Sequence, residues 1–320
     1  MPLAAGSSAP FTGVRIIQVP YDSALRSVRM GRGPEHLVAH GAVDALRAPG
    51  RNVDVEYVEA PEGFHAEVAT SFAVYARLAE RVQAALDDGR FPLVFAGNCG
   101  SALGVLGALG PMRTGVVWFD AHGDFNTPET TASGFLDGMA LAIATGHCWR
   151  PMRRALWGTR WEDAVVPEAH VAHVGGRDFD AAELERLDGS GITLVRADAV
   201  RAVGAREALA GVLDRLSAHV DAAYVHVDLD ALDPGEAPAN EFLPADGLSV
   251  SDAAEAVALV ATRLPVRAAA VTAYDPAYDP DGRTLRAAIT LVTAVVDAAL
   301  GEPAVESAEA APPAVPRSRR

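Results

Sequence analysis

Apolar residues in this chain fall into short, mostly apolar runs separated by longer stretches with three- and four-residue periodicity. The short runs at 14–19, 53–58, 92–95, 116–119, 170–174, 192–196, 225–230 and 266–272 read as strands, most of them buried. Between the second and third lies 71–86, where Phe72, Tyr75, Leu78, Val82 and Leu86 share one face of an amphipathic helix. Helices are also expected at 139–145, 206–216, 251–264 and 285–300, and Pro34 suits a helix start. Strands alternating with helices predict a three-layer α/β/α arrangement around a mainly parallel, eight-stranded sheet. Ligands of such sheets bind beyond the carboxyl ends of the strands.

The 320 residues are expected to form one large domain over 13–301. A disordered lead is expected at 1–12. The Ala-, Pro- and Glu-rich stretch at 302–320 reads as a solvated tail. A net charge of −15 argues against nucleic acid and is compatible with steering a small cation. Two cysteines, Cys99 and Cys148, point to a reducing compartment, so a cytoplasmic location is expected. Neither a membrane span nor a signal peptide is visible.

The chemistry gathers at strand ends. After the fourth strand come Asp120, His122 and Asp124, which point the same way if the extended geometry persists. The seventh strand ends in Asp228 and Asp230 with the same spacing. Five such groups packed together would repel one another unless metal charge holds them, which favours two ions over one. Cys99, Asp178 and Asp180 also follow strand ends. Gly100, Gly104 and Gly107 lack the spacing of a dinucleotide-binding turn and read as small residues for close helix packing. His36 and His40, four apart, read as a surface pair.

The runs DAHGDFNTPETTASG and HVDLDALDP resemble the ureohydrolases, the arginase and agmatinase family, and more closely its arginase branch. The resemblance spans about Tyr21 to about Leu300. It implies an arginase-like fold and hydrolysis of a guanidino compound to an amine and urea. It also implies two divalent ions, manganese first, with zinc, iron, cobalt or nickel as alternatives. Asp120 and Asp228 would bridge the ions, Asp124 would complete one shell, and His122 with Asp230 the other. Asn126, Thr131 and Ser133 match groups that hold an α-carboxylate. Asp180 matches the contact to an α-amino group, and Asp178 the acid preceding it. A homo-oligomer is implied as well.

Three positions depart from the family pattern. Its Gly-Gly-Asp-His segment appears as Ala96-Gly97-Asn98-Cys99, so Cys99 stands in the slot of a His ligand. The proton-shuttling His is replaced by Asp137, a candidate catalytic group beside Asp124. The Glu that anchors the guanidinium is matched by Ala273, leaving Asp275 or Asp279 as possible substitutes. Cysteine at the first ligand with the shuttle His missing also resembles the N-hydroxyarginine amidinohydrolase branch, which releases hydroxyurea. A substrate lacking the amino-acid head, such as agmatine, a guanidino acid or a formimino compound, stays open. So does a paralogue that has lost catalysis.

Overall fold

Eight strands line up in parallel to form one sheet: β1 (Gly13–Val19), β2 (Asn52–Tyr57), β3 (Phe91–Ala96), β4 (Thr114–Phe119), β5 (Val171–Val174), β6 (Thr193–Val195), β7 (Ala222–Asp228) and β8 (Val266–Thr272). Their spatial order is β2-β1-β3-β8-β7-β4-β5-β6, and every pairing is parallel. The structure is a computed structural model that describes residues 11–301, except 49, 62, 159, 160 and 162. Of the lead expected at 1–12, only Phe11 and Thr12 are described; Phe11 meets Phe91 edge-on at 5.4 Å. Residues 1–10 and the tail expected at 302–320 lie outside the described residues.

Neighbouring strand residues face opposite layers, and the sequence supplies an apolar side chain for both. Ile16, Val117 and Val225 enter one buried cluster, while Ile17, Val116 and Tyr224 enter the other. Helices α1 (Glu67–Asp87), α2 (Ala102–Leu109), α3 (Arg150–Trp157) and α4 (Ala181–Asp188) cover the second cluster. Helices α5 (Ala205–Ser217), α6 (Val250–Ala261) and α7 (Arg283–Leu300) cover the first. The three-layer arrangement and the eight parallel strands are therefore as the sequence predicts. The glycines of α2 do let helices approach: a Cβ on Gly104 would lie 2.5 Å from the Tyr75 carbonyl of α1. Helices α3 and α4, eight residues each, are not among those the sequence predicts.

The strand order sets the place of the site. β3 is followed in sequence by β4, yet its neighbour in the sheet is β8, with β7 between β8 and β4. The chain thus switches direction across the middle of the sheet, which leaves a crevice at the carboxyl ends of β3, β8, β7 and β4.

Candidate metal centre

Register brings the first ligands together. Phe119 of β4 pairs with Val227 of β7, so Asp120 leaves the sheet beside Asp228. Thr272 of β8 pairs with Asp228 from the other side. Cys99 opens the short helical turn Cys99–Ser101 three residues beyond β3.

The extended geometry expected for Asp120, His122 and Asp124 does not persist. β4 ends at Phe119, and Asp124 has the left-handed φ of 49°. The turn is held by His122 N–H donating to Asp120 Oδ1 at 2.7 Å and by the N–H groups of Leu141 and Ala142 reaching the Asp124 carbonyl. Gly123 leaves room for the Glu183 side chain, whose carboxyl carbon would lie 2.6 Å from a Cβ here. The strand at 225–230 likewise stops at Asp228. Asp230 sits on the turn Leu229–Ala231 and donates its N–H to Asp228 Oδ1 at 2.8 Å. Tight turns, not strand alternation, bring the groups together. Two sets result, Cys99–Asp120–Asp124 and Asp120–His122–Asp230, and the ligand atoms of each lie within 4.8 Å of one another.

The carboxylates of Asp120, Asp124, Asp228 and Asp230 are all buried. Their protein donors are few. Trp118 Nε1 donates to Asp120 Oδ2 at 3.0 Å, and Cys99 Sγ to Asp228 Oδ2 at 2.9 Å. Asp124 Oδ2 has no hydrogen-bond partner. Arg177 acts on Asp230 and Asp120 only at a distance, since its guanidinium donates to the backbone carbonyls of Asp230, Leu232 and Pro244, tying that loop down. Burial first, then Asp120, pushes the Asp124 carboxyl well up; burial and Asp230 do the same to Asp228. Burial and then Asp228 push the Cys99 thiol up. Burial opposes a charge on His122, but Asp230 and Asp120 outweigh it and push the imidazole up to about 12. This is a place that draws positive charge. A donor set of carboxylates with one imidazole and one thiol, including an orphaned buried oxygen, fits a pair of divalent cations.

The twelve residues assigned from the sequence to ligand, catalytic or substrate-binding roles all line one cavity of about 280 Å³. The floor is Cys99, Asp120, His122, Asp124, Asp228 and Asp230. Asn126, Thr131, Ser133, Asp178 and Asp180 line the rest, with Asn126 Nδ2 donating to Asp180 Oδ2 at 3.0 Å. Thr131 and Ser133 also serve their own turn, accepting from the N–H groups of Gly134 and Phe135. Asp137 lines the cavity and is buried, and burial pushes it up to about 7 against the opposing amides of Gly100 and Cys99.

Asp275 and Asp279 do not line the cavity. Asp275 takes Arg32 at 2.6 Å, and Asp279 takes Tyr274 Oη and the N–H groups of Thr284 and Leu285 at the start of α7. His36 and His40 stack on each other at 3.9 Å, also away from the cavity.

Sequence reasoning missed Glu183, Asn240, Phe135, Phe179 and Phe242 in the lining. Glu183 Oε1 accepts the Phe125 N–H at 2.8 Å, and burial pushes its carboxyl up to about 7. Its signal was present: an acid three residues after Asp180, the residue preceding α4, is a helix-start pattern. The aromatic residues carried no such mark.

Fold and site together define a class: a three-layer α/β protein with paired cation-binding sets at the switch point of a parallel sheet. The arginase-family profile matches residues 12–297, and the chain belongs to that family. It is accordingly a hydrolase acting on C–N bonds of linear amidines. An arginase of Bacillus caldovelox is 31% identical over 218 residues, covering 68% of this chain and 72% of that one. The crystal structure of arginase from Bacillus cereus superposes with a TM-score of 0.80 at 26% identity, covering 92% of this chain and all of that one (100%). The formimidoylglutamase of Bacillus subtilis shares the fold, with a TM-score of 0.72 at 20% identity over 94% of this chain and 91% of that one. None of the described helices is long and apolar enough to cross a membrane.

Proposed function

We propose that the protein hydrolyses a guanidino amino acid with two divalent cations, releasing urea or, from an N-hydroxyguanidine, hydroxyurea. The observation that carries this is the pair of ligand sets sharing Asp120 at the foot of a cavity that also holds amide, hydroxyl and carboxylate groups. Asp120, common to both sets, and by the family resemblance Asp228 would serve both ions, with Cys99 and Asp124 holding one and His122 and Asp230 the other. When bound, such a pair supplies the charge that lowers the pKa of water by many units and makes it a nucleophile near neutral pH. Manganese is the first candidate, with zinc, iron, cobalt or nickel as alternatives; a thiolate ligand moves preference towards the softer ions.

The chain's own groups bind and orient. Asn126, Thr131 and Ser133 offer donors to an α-carboxylate, and Asp178 and Asp180 offer acceptors to an α-ammonium. Asp124, with Oδ2 free of protein partners, is assigned the proton that the leaving amine takes up. The wall at Ala273 is neutral. Asn240 spends its amide on the Ala273 carbonyl (2.9 Å) and the Phe242 N–H (2.7 Å), and Phe242 lies edge-on to His122. A wall without a carboxylate suits a guanidine that is less basic than arginine's, and an N-hydroxyguanidine is one. Two buried, unpaired thiols support a cytoplasmic location, and the family resemblance supports a homo-oligomer.

The test is release of urea and hydroxyurea from arginine, N-hydroxyarginine, agmatine and a guanidino acid, with Mn, Zn, Co and Fe each supplied. Turnover of N-hydroxyarginine should exceed that of arginine by about tenfold or more, the scale on which a site distinguishes substrates by one polar group. Preference for agmatine or the guanidino acid would refute the amino-acid head. No release from any substrate with any metal would leave a binding paralogue.

A further inference from the structure

Two of the departures from the family pattern touch each other in the fold. Asn98 stands where the pattern has Asp, and Asp137 where it has the shuttle His. Asn98 Nδ2 donates to Asp137 Oδ2 at 2.9 Å, and Gly100 N–H donates to Oδ1 at 2.8 Å. The Cys99 amide supports the same carboxylate. At its other end the Asn98 side-chain carbonyl accepts the Ser23 N–H at 2.8 Å, so the amide is held with its nitrogen towards Asp137.

Both oxygens of Asp137 are thus taken up by the segment that carries Cys99. A carboxylate that grips consecutive N–H groups fixes the local backbone, and with it the direction in which the Cys99 side chain leaves. That direction puts Sγ 2.9 Å from Asp228 Oδ2 and within 4.8 Å of ligand atoms of Asp120 and Asp124. An acid at 98 would set a second carboxylate against Asp137 in a buried place, so an acid at 137 calls for an amide at 98.

We propose that Asn98 and Asp137 form one positioning unit that holds Cys99 in its ligand set, and that Asp137 does not replace the proton-carrying His. The two departures are then a single exchange of donor and acceptor, made together with the cysteine between them.

The experiment is alkylation of the full-length protein by iodoacetamide, followed at each thiol by peptide mass spectrometry with Cys148 as internal reference. Asn98→Asp and Asp137→Ala should each speed reaction at Cys99 by about tenfold or more, as local opening does, while Cys148 stays unchanged. Asn98→Asp combined with Asp137→Asn swaps donor and acceptor, and should return Cys99 to near the parent rate. Single variants as slow as the parent would overturn the proposal. So would a double variant no slower than Asn98→Asp alone, or equal acceleration of both thiols, which marks general loosening.

The metal half of the idea rests on the reading of Cys99 as a ligand, and a second readout separates the two. With cobalt, the parent should show thiolate-to-metal absorption in the near ultraviolet, and Asn98→Asp should lose most of it. Absence of that band in the parent would sink Cys99 as a ligand, while alkylation still decides whether Asn98 and Asp137 hold its loop.

Discussion

The floor of the cavity and its wall at Ala273 are built on opposite principles. The floor crowds four buried carboxylates, a thiol and an imidazole onto turns at strand ends, with an oxygen of Asp124 left unpartnered. The wall has no charge, and its one amide, on Asn240, is spent on the backbone. A protein tolerates the first arrangement only where a ligand of opposite charge compensates it. The second needs no counter-ion, although Ala273 itself holds a left-handed φ of 61° and its carbonyl is tied to Asn240. The difference teaches where the two halves of the proposed reaction can be tested separately: the charged floor on metal binding, the neutral wall on substrate choice.

The largest effect should come from breaking the floor. Asp228→Ala should lower turnover by roughly a thousandfold or more and cost at least one metal ion per chain. The metal-free variant should melt no lower than the parent, because a carboxyl destabilised by burial and by Asp230 has been removed. Full turnover would end the two-cation reading.

The wall is sharpened by Ala273→Glu, which puts back an acid. Selectivity for arginine over N-hydroxyarginine, taken as the ratio of kcat/KM values, should rise by about tenfold or more, the scale of a charged hydrogen bond of roughly 1.5–3 kcal/mol. An unchanged ratio would mean that the wall does not face the reacting group.

Between floor and wall, Asp180→Ala should raise KM for an amino-acid substrate by about tenfold and leave agmatine nearly unaffected. Equal losses for both would make Asp180 a structural partner of Asn126 only.

The smallest effect lies beneath the floor, where His226 stacks on Trp118 at 3.6 Å and meets Tyr224 Oη at 2.8 Å. Burial, then His173, depresses its imidazole to about 3. The unfolded chain binds a proton there below the ordinary value of 6.5 and the folded chain does not. Stability is therefore lost as pH falls from 6.5 towards 3. His226→Gln should remove that loss, worth about 2–3 kcal/mol between pH 6.5 and 4.5, or roughly 4 °C in Tm. Parallel Tm profiles for parent and variant would contradict the assignment.

The sheet and its long helices were legible because both faces demand apolar side chains, so runs such as 116–119 and periods such as 71–86 stand out. Helix α3 was not legible, because RPMRRALW is only eight residues long and sets its apolar Met152, Leu156 and Trp157 beside a buried Arg153. Nor was α4, which buries Glu183 with Leu187. The residue types of the site were readable from their place after strand ends. Their convergence was not, since it depends on turns held by distant partners such as Glu183 on the Phe125 N–H. The same holds for Asp275 and Asp279, whose spacing left them open as anchors until Arg32, Tyr274 and the start of α7 claimed them.

The most direct test is metal content measured against turnover on the same full-length preparation. Two divalent ions per chain are predicted, with release of urea or hydroxyurea rising as the second ion binds. Full turnover with one ion or none, or two bound ions with no hydrolysis of any guanidino compound, would contradict the account.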